Sequence, residues 1–427
     1  MADIAPLTPL RYASHIPLAD VVAPPYDVID DAQRKALADR HEDNVVRLIL
    51  PEGEGDAKYE NARTLLHRWR EAGVLVRDPE PAFYRYDQTF SVAGGGRVRR
   101  RGFLGLVRVG PYEEGNVLPH ERTLSGPKED RLKLFRATQT NLSPGFMLYR
   151  DPALRLAAPL DHANVISEFR TADGIDHALA KIVDPDAMRE IVRVVAESAL
   201  LIADGHHRYE TSLRYRNEVN AEPLWAEPRF FLVFLTNGDD PDLRVFPTHR
   251  LVHSVPDFSF EKVLTEAAAL FDVQRLPAGS PVPTLPSGRP AFAAFDAQGA
   301  GAVLTLRSDA NLATHPILGA RPEVLRRTDV AILHDALLEQ VLGITRDAQA
   351  KKTNLRYPQD ATAALAEVRG GGGQALFVMN PTPVQVVREV AEAGEVMPQK
   401  STFFYPKVLT GLLLHTLDPA RTVPQAG

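Results

Sequence analysis

The sequence contains no cysteine. This absence excludes disulfides, a thiolate nucleophile and any zinc or iron–sulfur site with cysteine ligands. Long apolar runs are also missing: stretches such as residues 230–235 are much shorter than a membrane span, and the N-terminal residues lack the apolar segment of an export signal. We therefore expect a cytoplasmic protein with no membrane partner, whose chemistry uses oxygen and nitrogen groups.

The sequence also lacks an excess of positive charge. Its formal net charge is -6, whereas proteins that bind nucleic acid normally carry a clear excess of Lys and Arg. One local basic cluster, Arg97, Arg99, Arg100 and Arg101, follows three glycines, and we interpret it as the solvated end of a β-hairpin. We expect no nucleic-acid partner.

Several catalytic signatures are missing as well. The sequence has no HExxH, GxxxxGK[ST], GxGxxG or GxSxG pattern. These patterns mark zinc proteases, P-loop enzymes, dinucleotide-binding folds and α/β-hydrolases, respectively. The absence of all four argues against these classes.

The patterns that are present predict an α+β (mixed α/β) fold. Residues 82–92 and 98–109 alternate as the two strands of a hairpin, residues 56–72 have helical spacing, and residues 45–50 read as a strand. The chain has 427 residues, more than one hydrophobic core usually supports. We predict two lobes, residues 1–240 and residues 241–427, with the C-terminal lobe completing the site through its PQKSTFFYPK loop.

The most informative segment is ADGHHRYET at residues 203–211, where an apolar strand is followed by a tight turn and a helix start. Backbone N–H groups and the positive end of the helix dipole make such a turn an anion site. Gly205 allows close approach of a ligand, and His206, His207 and Arg208 add donors. The alternative is structural: His206 pairs with Glu210 along the helix, and Arg208 pairs with a carboxylate.

A second polar segment, residues 120–131, offers the groups that phosphoryl transfer requires. Glu121 is a candidate metal ligand or general base. Arg122, Lys128 and Arg131 are candidate phosphate ligands, although a solvated charged loop remains an open alternative.

Further candidate residues would line a substrate pocket. They are polar or charged and lie in turns or at strand ends. The set comprises Tyr26, Asp27, His120, Thr248, His249, Arg250, Asn380, Lys400, Thr402, Tyr405 and Lys407. Four histidines, His120, His206, His207 and His249, could also gather around a divalent metal, but their spacing does not require it.

Two resemblances extend this interpretation. The string ADGHHRYETSL is similar to the signature of the ParB and sulfiredoxin superfamily, in which a glycine-containing turn binds nucleotide phosphates at a helix start, and free-serine kinases of that superfamily carry a DGHHR string. The nucleophilic cysteine of sulfiredoxin would lie in this turn, where this chain has His206, which argues against sulfinic acid reduction.

Over its full length the chain is identified as a member of the family called domain of unknown function 1015. The strings that carry this resemblance are APPYDVI, HERTL with PKEDR, ADGHHRYET, PTHRLV, LFVMNPT and MPQKSTFFYPK. Members of the family are often encoded beside enzymes of serine biosynthesis, which implies serine or phosphoserine as the substrate.

These observations lead to two functional hypotheses. The first is an enzyme, a phosphotransferase (kinase) or phosphatase acting on serine, phosphoserine or a similar hydroxy acid. Asp204, His206, His207 and Glu121 would be catalytic, Mg²⁺ would bind Asp204 or Glu121, and ATP or ADP would be the nucleotide. The second is a CTP- or ATP-binding sensor with little turnover. Both imply a small phosphorylated metabolite or nucleotide as partner and leave homo-oligomerisation open.

Overall fold

The computed structural model describes residues 3–92, 95–121, 125–220 and 223–426, and of residues 125–127 it describes only the backbone. Contacts between residues divide the chain into two compact units. The first unit comprises residues 1–119, 123–243 and 406–427, and the second comprises residues 120–122 and 244–405. Residues 406–427, which the sequence prediction assigns to the C-terminal lobe, lie in the first unit. The predicted α+β (mixed α/β) class is confirmed.

The α-helices of the first unit lie between residues 18 and 219. Residues 56–72 form a helix as expected, and another begins at Pro185, where the Asp184 side chain accepts a hydrogen bond from the Ala187 N–H at 2.8 Å. The helices are α1 (Leu18–Val21), α2 (Asp31–Arg40), α3 (Val46–Ile49), α4 (Ala57–Glu71), α5 (Ser125–Thr138), α6 (Ala157–Asp161), α7 (Pro185–Ala196) and α8 (His206–Val219).

The strands of the first unit precede and follow these helices. They are β1 (Ile4–Ala5), β2 (Leu10–Tyr12), β3 (Leu75–Arg77), β4 (Phe83–Ser91), β5 (Arg97–Arg108), β6 (Val117–Leu118), β7 (Thr140–Asn141), β8 (Gly145–Tyr149), β9 (Asn164–Arg170), β10 (Asp176–Ile182), β11 (Leu200–Asp204), β12 (Phe230–Asn237) and β21 (His415–Thr416).

Nine of the described strands form one mixed sheet in the order β6-β11-β8-β12-β5-β4-β10-β9, with β1 paired to β5. The β6–β11 and β8–β12 pairs are parallel and the others are antiparallel. The predicted hairpin is confirmed, since β4 pairs with β5 from Tyr84 opposite Leu104 to Ser91 opposite Arg97. Strand β11 pairs with β6 at Leu200 and Leu201 and with β8 from Leu201 to Asp204, so β8 holds its C-terminal end.

One element of the first unit differs from its prediction. Residues 45–50, expected to be a strand, contain the short helix α3. The side-chain oxygen of Asn44 accepts a hydrogen bond from the Val46 N–H at 2.9 Å, which favours a turn at this point. Val46, Leu48 and Ile49 are all buried, and a short apolar run of this kind fits a buried helix as well as a strand.

The second unit contains the remaining helices and strands. Its helices are α9 (Phe260–Ala267), α10 (Glu323–Arg326), α11 (Asp329–Ile332), α12 (Arg346–Lys351), α13 (Ala361–Glu367) and α14 (Val384–Glu392), with a π-helical segment at Leu333–Glu339. Its strands are β13 (Arg244–Phe246), β14 (Arg250–Val252), β15 (Phe271–Leu276), β16 (Ala291–Asp296), β17 (Gly301–Leu306), β18 (Leu355–Arg356), β19 (Ala375–Met379) and β20 (Phe403–Tyr405).

An antiparallel sheet in the order β15-β17-β16-β19-β14-β18 organises the second unit. Strands β16 and β17 pair antiparallel, from Ala291 opposite Thr305 to Phe295 opposite Gly301. Leu251, Phe295, Leu376 and Val378 form part of a core that packs against α13. Across the described residues of both units, no helix is long and apolar enough to cross a bilayer.

Candidate anion-binding site

The strand-turn-helix that the sequence predicts is present in the first unit. Strand β11 ends at Asp204, Gly205 has φ 97° and ψ 26°, and α8 begins at His206. This left-handed conformation suits glycine, and a Cβ added to Gly205 would lie 3.1 Å from the guanidinium group of Arg208. Because Gly205 has no side chain, the first turn of α8 begins without a side-chain cap.

Asp204 lies between two cations. Its Oδ2 accepts a hydrogen bond from Nζ of Lys407 at 2.8 Å, and its Oδ1 lies 3.5 Å from Nη2 of Arg208. Arg208 is only 5% exposed and also donates to the carbonyl oxygen of Pro144. In this structure the Arg208 guanidinium therefore binds protein acceptors, and its direct contact with phosphate stays a prediction.

The two histidines of the turn differ in exposure. His206 is buried, whereas His207 is partly exposed and its carbonyl oxygen accepts a hydrogen bond from Oγ1 of Thr211 at 2.7 Å. The neighbouring Glu210 accepts a hydrogen bond from Nζ of Lys128 at 2.8 Å. Lys128 therefore connects α5 to α8. Of the two histidines, His207 is the more accessible to a ligand.

Tyr26 and Arg131 belong to the same electrostatic environment. The guanidinium carbon of Arg131 lies 4.3 Å from the centre of the Tyr26 ring. Burial, followed by the charge of Asp27, raises the pKa of Tyr26, while the charges of Arg208 and Arg131 oppose this increase. The charge of Arg208 in the turn therefore affects the pKa of the Tyr26 hydroxyl. The side chain of Asp27, which is also predicted to bind substrate, is exposed.

Arg131 is itself anchored by protein groups. Its Nη1 donates to the carbonyl oxygen of Ile49 at 2.6 Å, and its Nε donates to Asp130 at 3.0 Å. Burial would raise the pKa of Asp130, but the charge of Arg131 and a hydrogen bond from Lys58 hold it below its ordinary value. Arg131 therefore presents the face of its guanidinium to Tyr26 while its nitrogens bind the backbone and Asp130.

The sequence prediction was wrong about Arg100. This side chain is 1% exposed, and its guanidinium carbon lies 4.6 Å from the ring centre of Phe146 and 5.2 Å from that of Phe234. Its Nη2 donates to Oε1 of Gln88, and Nε2 of Gln88 donates to the carbonyl oxygen of Lys407 at 3.0 Å. Arg100 is therefore a buried cation linked to the segment that carries Lys407.

The buried guanidinium of Arg100 has fewer hydrogen-bond acceptors than donors around it. Within the described residues, its Nε and Nη1 have no hydrogen-bond partner. Burial lowers its pKa to about 9, and the nearby Tyr86 and Asp204 oppose that shift. A signal in the sequence could have located it, because Val98 and Arg100 share a face of β5, and that face is buried at both positions.

Other predicted residues lie in the second unit. His120 is fully buried, and its Nε2 lies 2.9 Å from Oγ1 of Thr402. The Glu121 carboxylate accepts a hydrogen bond from the Ser401 N–H at 3.1 Å. Arg122 lies outside the described residues. The structure thus brings His120 and Glu121 to residues 401–402 of the PQKSTFFYPK segment.

Arg250 is a buried anchor of the second unit. It is 0% exposed, and its Nε donates to Nε2 of His334 at 2.9 Å. Its Nη2 donates to the carbonyl oxygen of Lys400 at 3.1 Å, and Nη1 donates to the carbonyl oxygen of Thr248. Burial lowers the pKa of Arg250 to about 10, with the charges of Tyr357 and Glu121 opposing this shift. All three nitrogens are committed to protein acceptors.

The remaining predicted residues of this unit have structural contacts. Nδ1 of His249 accepts a hydrogen bond from the Met379 N–H at 3.2 Å, and burial, followed by the charge of Arg250, lowers the His249 pKa to about 4. Asn380 donates to the carbonyl oxygen of Pro286 at 2.9 Å, and the Tyr405 ring stacks on Phe246 at 4.8 Å. Whether these side chains contact a substrate stays a prediction.

The described residues also bear on the predicted metal. Among them, no group of three or more His, Asp or Glu side chains is arranged to hold a metal ion. Asp204 binds Lys407, and Glu121 binds the backbone of Ser401. The Mg²⁺ site therefore stays a prediction. The alternative, a metal site formed by several histidines, has no corresponding cluster among the described residues.

Comparison with known proteins places the chain in a family. The model of the family described as protein of unknown function (DUF1015) matches residues 4–331. The chain belongs to the DUF1015 family. This confirms the resemblance that its sequence strings carry. None of the curated proteins compared with the chain matches it.

Three solved structures have a low similarity to this DUF1015 chain. A conserved hypothetical protein from Pyrococcus furiosus is 14% identical, with a TM-score of 0.33 over 68% of this chain and 87% of that one. A free serine kinase in complex with AMP is 13% identical, with a TM-score of 0.35 over 68% and 84%. SbnI from Staphylococcus aureus, truncated at its C-terminus, is 10% identical, with a TM-score of 0.35 over 73% and 86%.

Proposed function

We propose that this protein binds a phosphorylated small molecule at the start of α8 and transfers or hydrolyses its phosphoryl group. The observation that carries the proposal is the charge around Asp204. Lys407 lies at 2.8 Å and Arg208 at 3.5 Å, and the buried Arg100, which donates to Gln88, interacts with Asp204 through its charge. Three cations around one carboxylate, beside a helix N-terminus, favour an anionic ligand.

Different groups at the turn would have different roles in the reaction. Lys407 and the N–H groups at the start of α8 would hold the phosphoryl oxygens, since charge-assisted hydrogen bonds of this type contribute about 1.5 to 3 kcal/mol each. Asp204 would accept the proton of the attacking hydroxyl or water. A neighbouring cation favours the charged form of a carboxylate, which is the form that accepts a proton, and Asp204 contacts two cations.

The substrate class follows from the DGHHR string rather than from the contacts. That string is similar to the one in free-serine kinases, and we therefore propose serine or phosphoserine as the hydroxy acid. ATP or ADP is the corresponding phosphoryl donor. Mg²⁺ would neutralise the nucleotide phosphates, as it does in most phosphoryl-transfer enzymes.

The test is an assay of the purified protein with phosphoserine, and with serine plus ATP or ADP, each with and without Mg²⁺. We expect phosphate release or phosphoserine formation that Lys407→Met reduces at least tenfold. Lys35→Met is the control, because Lys35 is exposed and, among the residues that the structure describes, pairs only with Asp39 one turn along α2. Absence of turnover with every combination would contradict the proposed enzyme.

A second candidate function is a nucleotide-binding switch with little turnover. The internal pairing of Asp204 favours it, because a carboxylate held by Lys407 and Arg208 is a weaker base than a free one. Titration calorimetry with AMP, ADP and CTP separates the two candidates. Tight binding without hydrolysis or transfer would support the switch.

A further inference from the structure

The hydroxyl of Tyr26 is a donor that the protein itself does not use. Tyr26 follows two prolines and begins a short 3₁₀ helix (Tyr26–Val28). Its side chain is half-buried, and among the residues that the structure describes its hydroxyl makes no hydrogen bond. The hydroxyl oxygen keeps some exposed surface, so a ligand can reach it.

The ring of Tyr26, in contrast, is held by the protein. The guanidinium carbon of Arg131 lies 4.3 Å from the ring centre, and Arg131 is itself bound to the carbonyl oxygen of Ile49 and to Asp130. The ring also packs against an apolar core to which α2, α3 and α4 contribute. Phenylalanine would make the same contacts, because they involve only the ring. The fold therefore explains the ring of Tyr26 but not its hydroxyl.

A short antiparallel bridge brings Tyr26 beside the segment that carries Lys407. The Ala23 N–H donates to the carbonyl oxygen of Thr410 at 3.1 Å, and the Thr410 N–H donates to the carbonyl oxygen of Ala23 at 2.8 Å. Tyr26 lies three residues after Ala23, and Lys407 lies three residues before Thr410. Because the two segments run in opposite directions, both residues lie on the same side of the bridge. From there Nζ of Lys407 reaches Asp204 at 2.8 Å.

The charges of the turn also act on Tyr26. Burial is the largest cause of its raised pKa, the charge of Asp27 adds to it, and Arg208 and Asp204 of the turn contribute with opposite signs. The raised pKa keeps the hydroxyl protonated at neutral pH. A protonated hydroxyl can donate a hydrogen bond to an anion without adding a negative charge beside it. The electrostatics thus agree with the bridge in placing this donor at the Gly205 turn.

We propose that Tyr26 binds the phosphoryl group of the ligand, its hydroxyl donating a hydrogen bond to an oxygen of the group that Lys407 holds. This inference rests on the phosphoryl binding proposed for the turn. It adds a donor from the N-terminal segment, and it assigns the contact to the phosphoryl group rather than to the serine part of the ligand. A charged phosphoryl oxygen is a stronger acceptor than the water that it would displace from the hydroxyl.

Titration calorimetry of the full chain tests this contact. The probes are inorganic phosphate and phosphoserine, at an ionic strength held constant with sodium chloride. Tyr26→Phe removes the hydroxyl and keeps the ring against Arg131. We expect it to weaken the binding of both probes by a similar factor, about three- to tenfold, which corresponds to one hydrogen bond. The melting temperature without ligand should stay the same, because the hydroxyl has no acceptor in the described part of the protein.

The matched control is Tyr357→Phe. Tyr357 belongs to the second unit, and its ring also lies beside an arginine, with the guanidinium carbon of Arg250 at 5.0 Å from the ring centre. Its hydroxyl donates to the carbonyl oxygen of Gln349 at 3.3 Å, so this donor is already used. The control variant should bind both probes as the wild-type protein does.

The outcomes separate this inference from the proposed function. Unchanged binding in Tyr26→Phe, a loss confined to phosphoserine, or an equal loss in Tyr357→Phe would overturn the inference and leave the proposed function in place. The expected loss of binding in a protein without turnover would support the Tyr26 contact and contradict the proposed enzyme. Absence of binding of either probe to the wild-type protein would overturn both.

Discussion

Nζ of Lys407 lies 2.8 Å from Oδ2 of Asp204, although 203 residues separate the two in the sequence. The backbone of Lys407 is held by Gln88, which in turn binds the buried Arg100. Asp204 is therefore connected through Lys407 and Gln88 to a cation inside the sheet. The charge of the candidate site depends on a chain of contacts that reaches well beyond the DGHHR turn.

The Asp204–Lys407 pair should behave as an energetic unit. Lys407→Met leaves a partly buried carboxylate without one of its cations, and Asp204→Asn leaves the ammonium without its acceptor, so each single substitution should be destabilising. The double substitution should cost less than the sum, with a coupling of about 1 to 3 kcal/mol. Urea denaturation of the three variants measures this coupling, and strictly additive effects would contradict an interacting pair.

Replacing Arg100 should weaken ligand binding but change the stability of the protein little. Two of its nitrogens lack partners in the described part of the chain, so Arg100→Met removes a buried charge and fills the space between Phe146 and Phe234. We expect the free energy of unfolding to change by less than about 1 kcal/mol. Phosphoserine or nucleotide binding should weaken severalfold, because one cation of the site is lost.

Arg100→Lys is the comparison, since it keeps the charge and loses the planar group between the rings. Binding should be largely retained in this variant. For both variants, titration calorimetry measures ligand binding and denaturation measures the free energy of unfolding. Strong destabilisation by Arg100→Met with unchanged binding would assign Arg100 a purely structural role.

Gly205→Ala should impair both folding and binding. Its φ of 97° is unfavourable for alanine, and the new Cβ would lie 3.1 Å from the Arg208 guanidinium. We expect a loss of about 1 to 2 kcal/mol from the backbone alone, and a further loss because Arg208 must move. Thermal denaturation together with ligand titration measures both effects.

A matched control for this substitution is Gly174→Ala. Gly174 has φ 82° and nothing within 4 Å of an added Cβ, so it reports the backbone cost alone. The difference between the two variants isolates the contact with Arg208. If Gly174→Ala reduced binding as much as Gly205→Ala, the turn would have no specific role.

Stability of the first unit should fall in mild acid because of His177. Burial lowers the His177 pKa to about 4 against an ordinary 6.5, while Asp173 and Asp176 oppose the shift and Arg100 reinforces it. The unfolded chain therefore binds more protons between these pH values. Stability is fully present above pH 6.5 and decreases toward pH 4, by up to about 3 kcal/mol.

His177→Gln should flatten this pH dependence. The imidazole binds the Tyr86 hydroxyl through Nδ1 at 2.7 Å and the Thr171 hydroxyl through Nε2 at 2.9 Å, and an amide offers hydrogen-bonding groups of comparable reach. Denaturant midpoints at pH 7, 5.5 and 4.5 measure the effect. An unchanged slope in the variant would mean that another group, such as His249 of the second unit, controls it.

What the sequence predicts well is local. The β4–β5 hairpin and the strand-turn-helix at Gly205 both follow from alternation and turn residues within a few positions. The link between Gln88 and Lys407 spans 319 residues, and no periodicity encodes such a contact. Residues 45–50 were mistaken for a strand because their short apolar run is compatible with either structure.

The charged residues of the site illustrate the same limit. Arg100 was predicted to be solvent-exposed because it lies in a run of arginines. The alternation of buried and exposed positions along its strand, which indicates that Arg100 is buried, was given less weight. Arg208 was expected to face a ligand, but its burial and its contact with the Pro144 carbonyl depend on the tertiary fold. Residue type indicates which chemistry is available, whereas tertiary contacts decide which nitrogens are already used.

The discontinuity of the first unit has a consequence for shortened chains. A stop codon after residue 405 would retain every strand of the large mixed sheet but would delete Lys407, as well as Leu414, whose backbone pairs with Leu10 at 2.8 and 2.9 Å. Asp204 would keep only Arg208 as an ion-pair partner among those described here. The same deletion removes Leu412, Leu413 and Leu417, which are buried in the first unit, so a late frameshift should destabilise this unit as well as remove the lysine that pairs with Asp204.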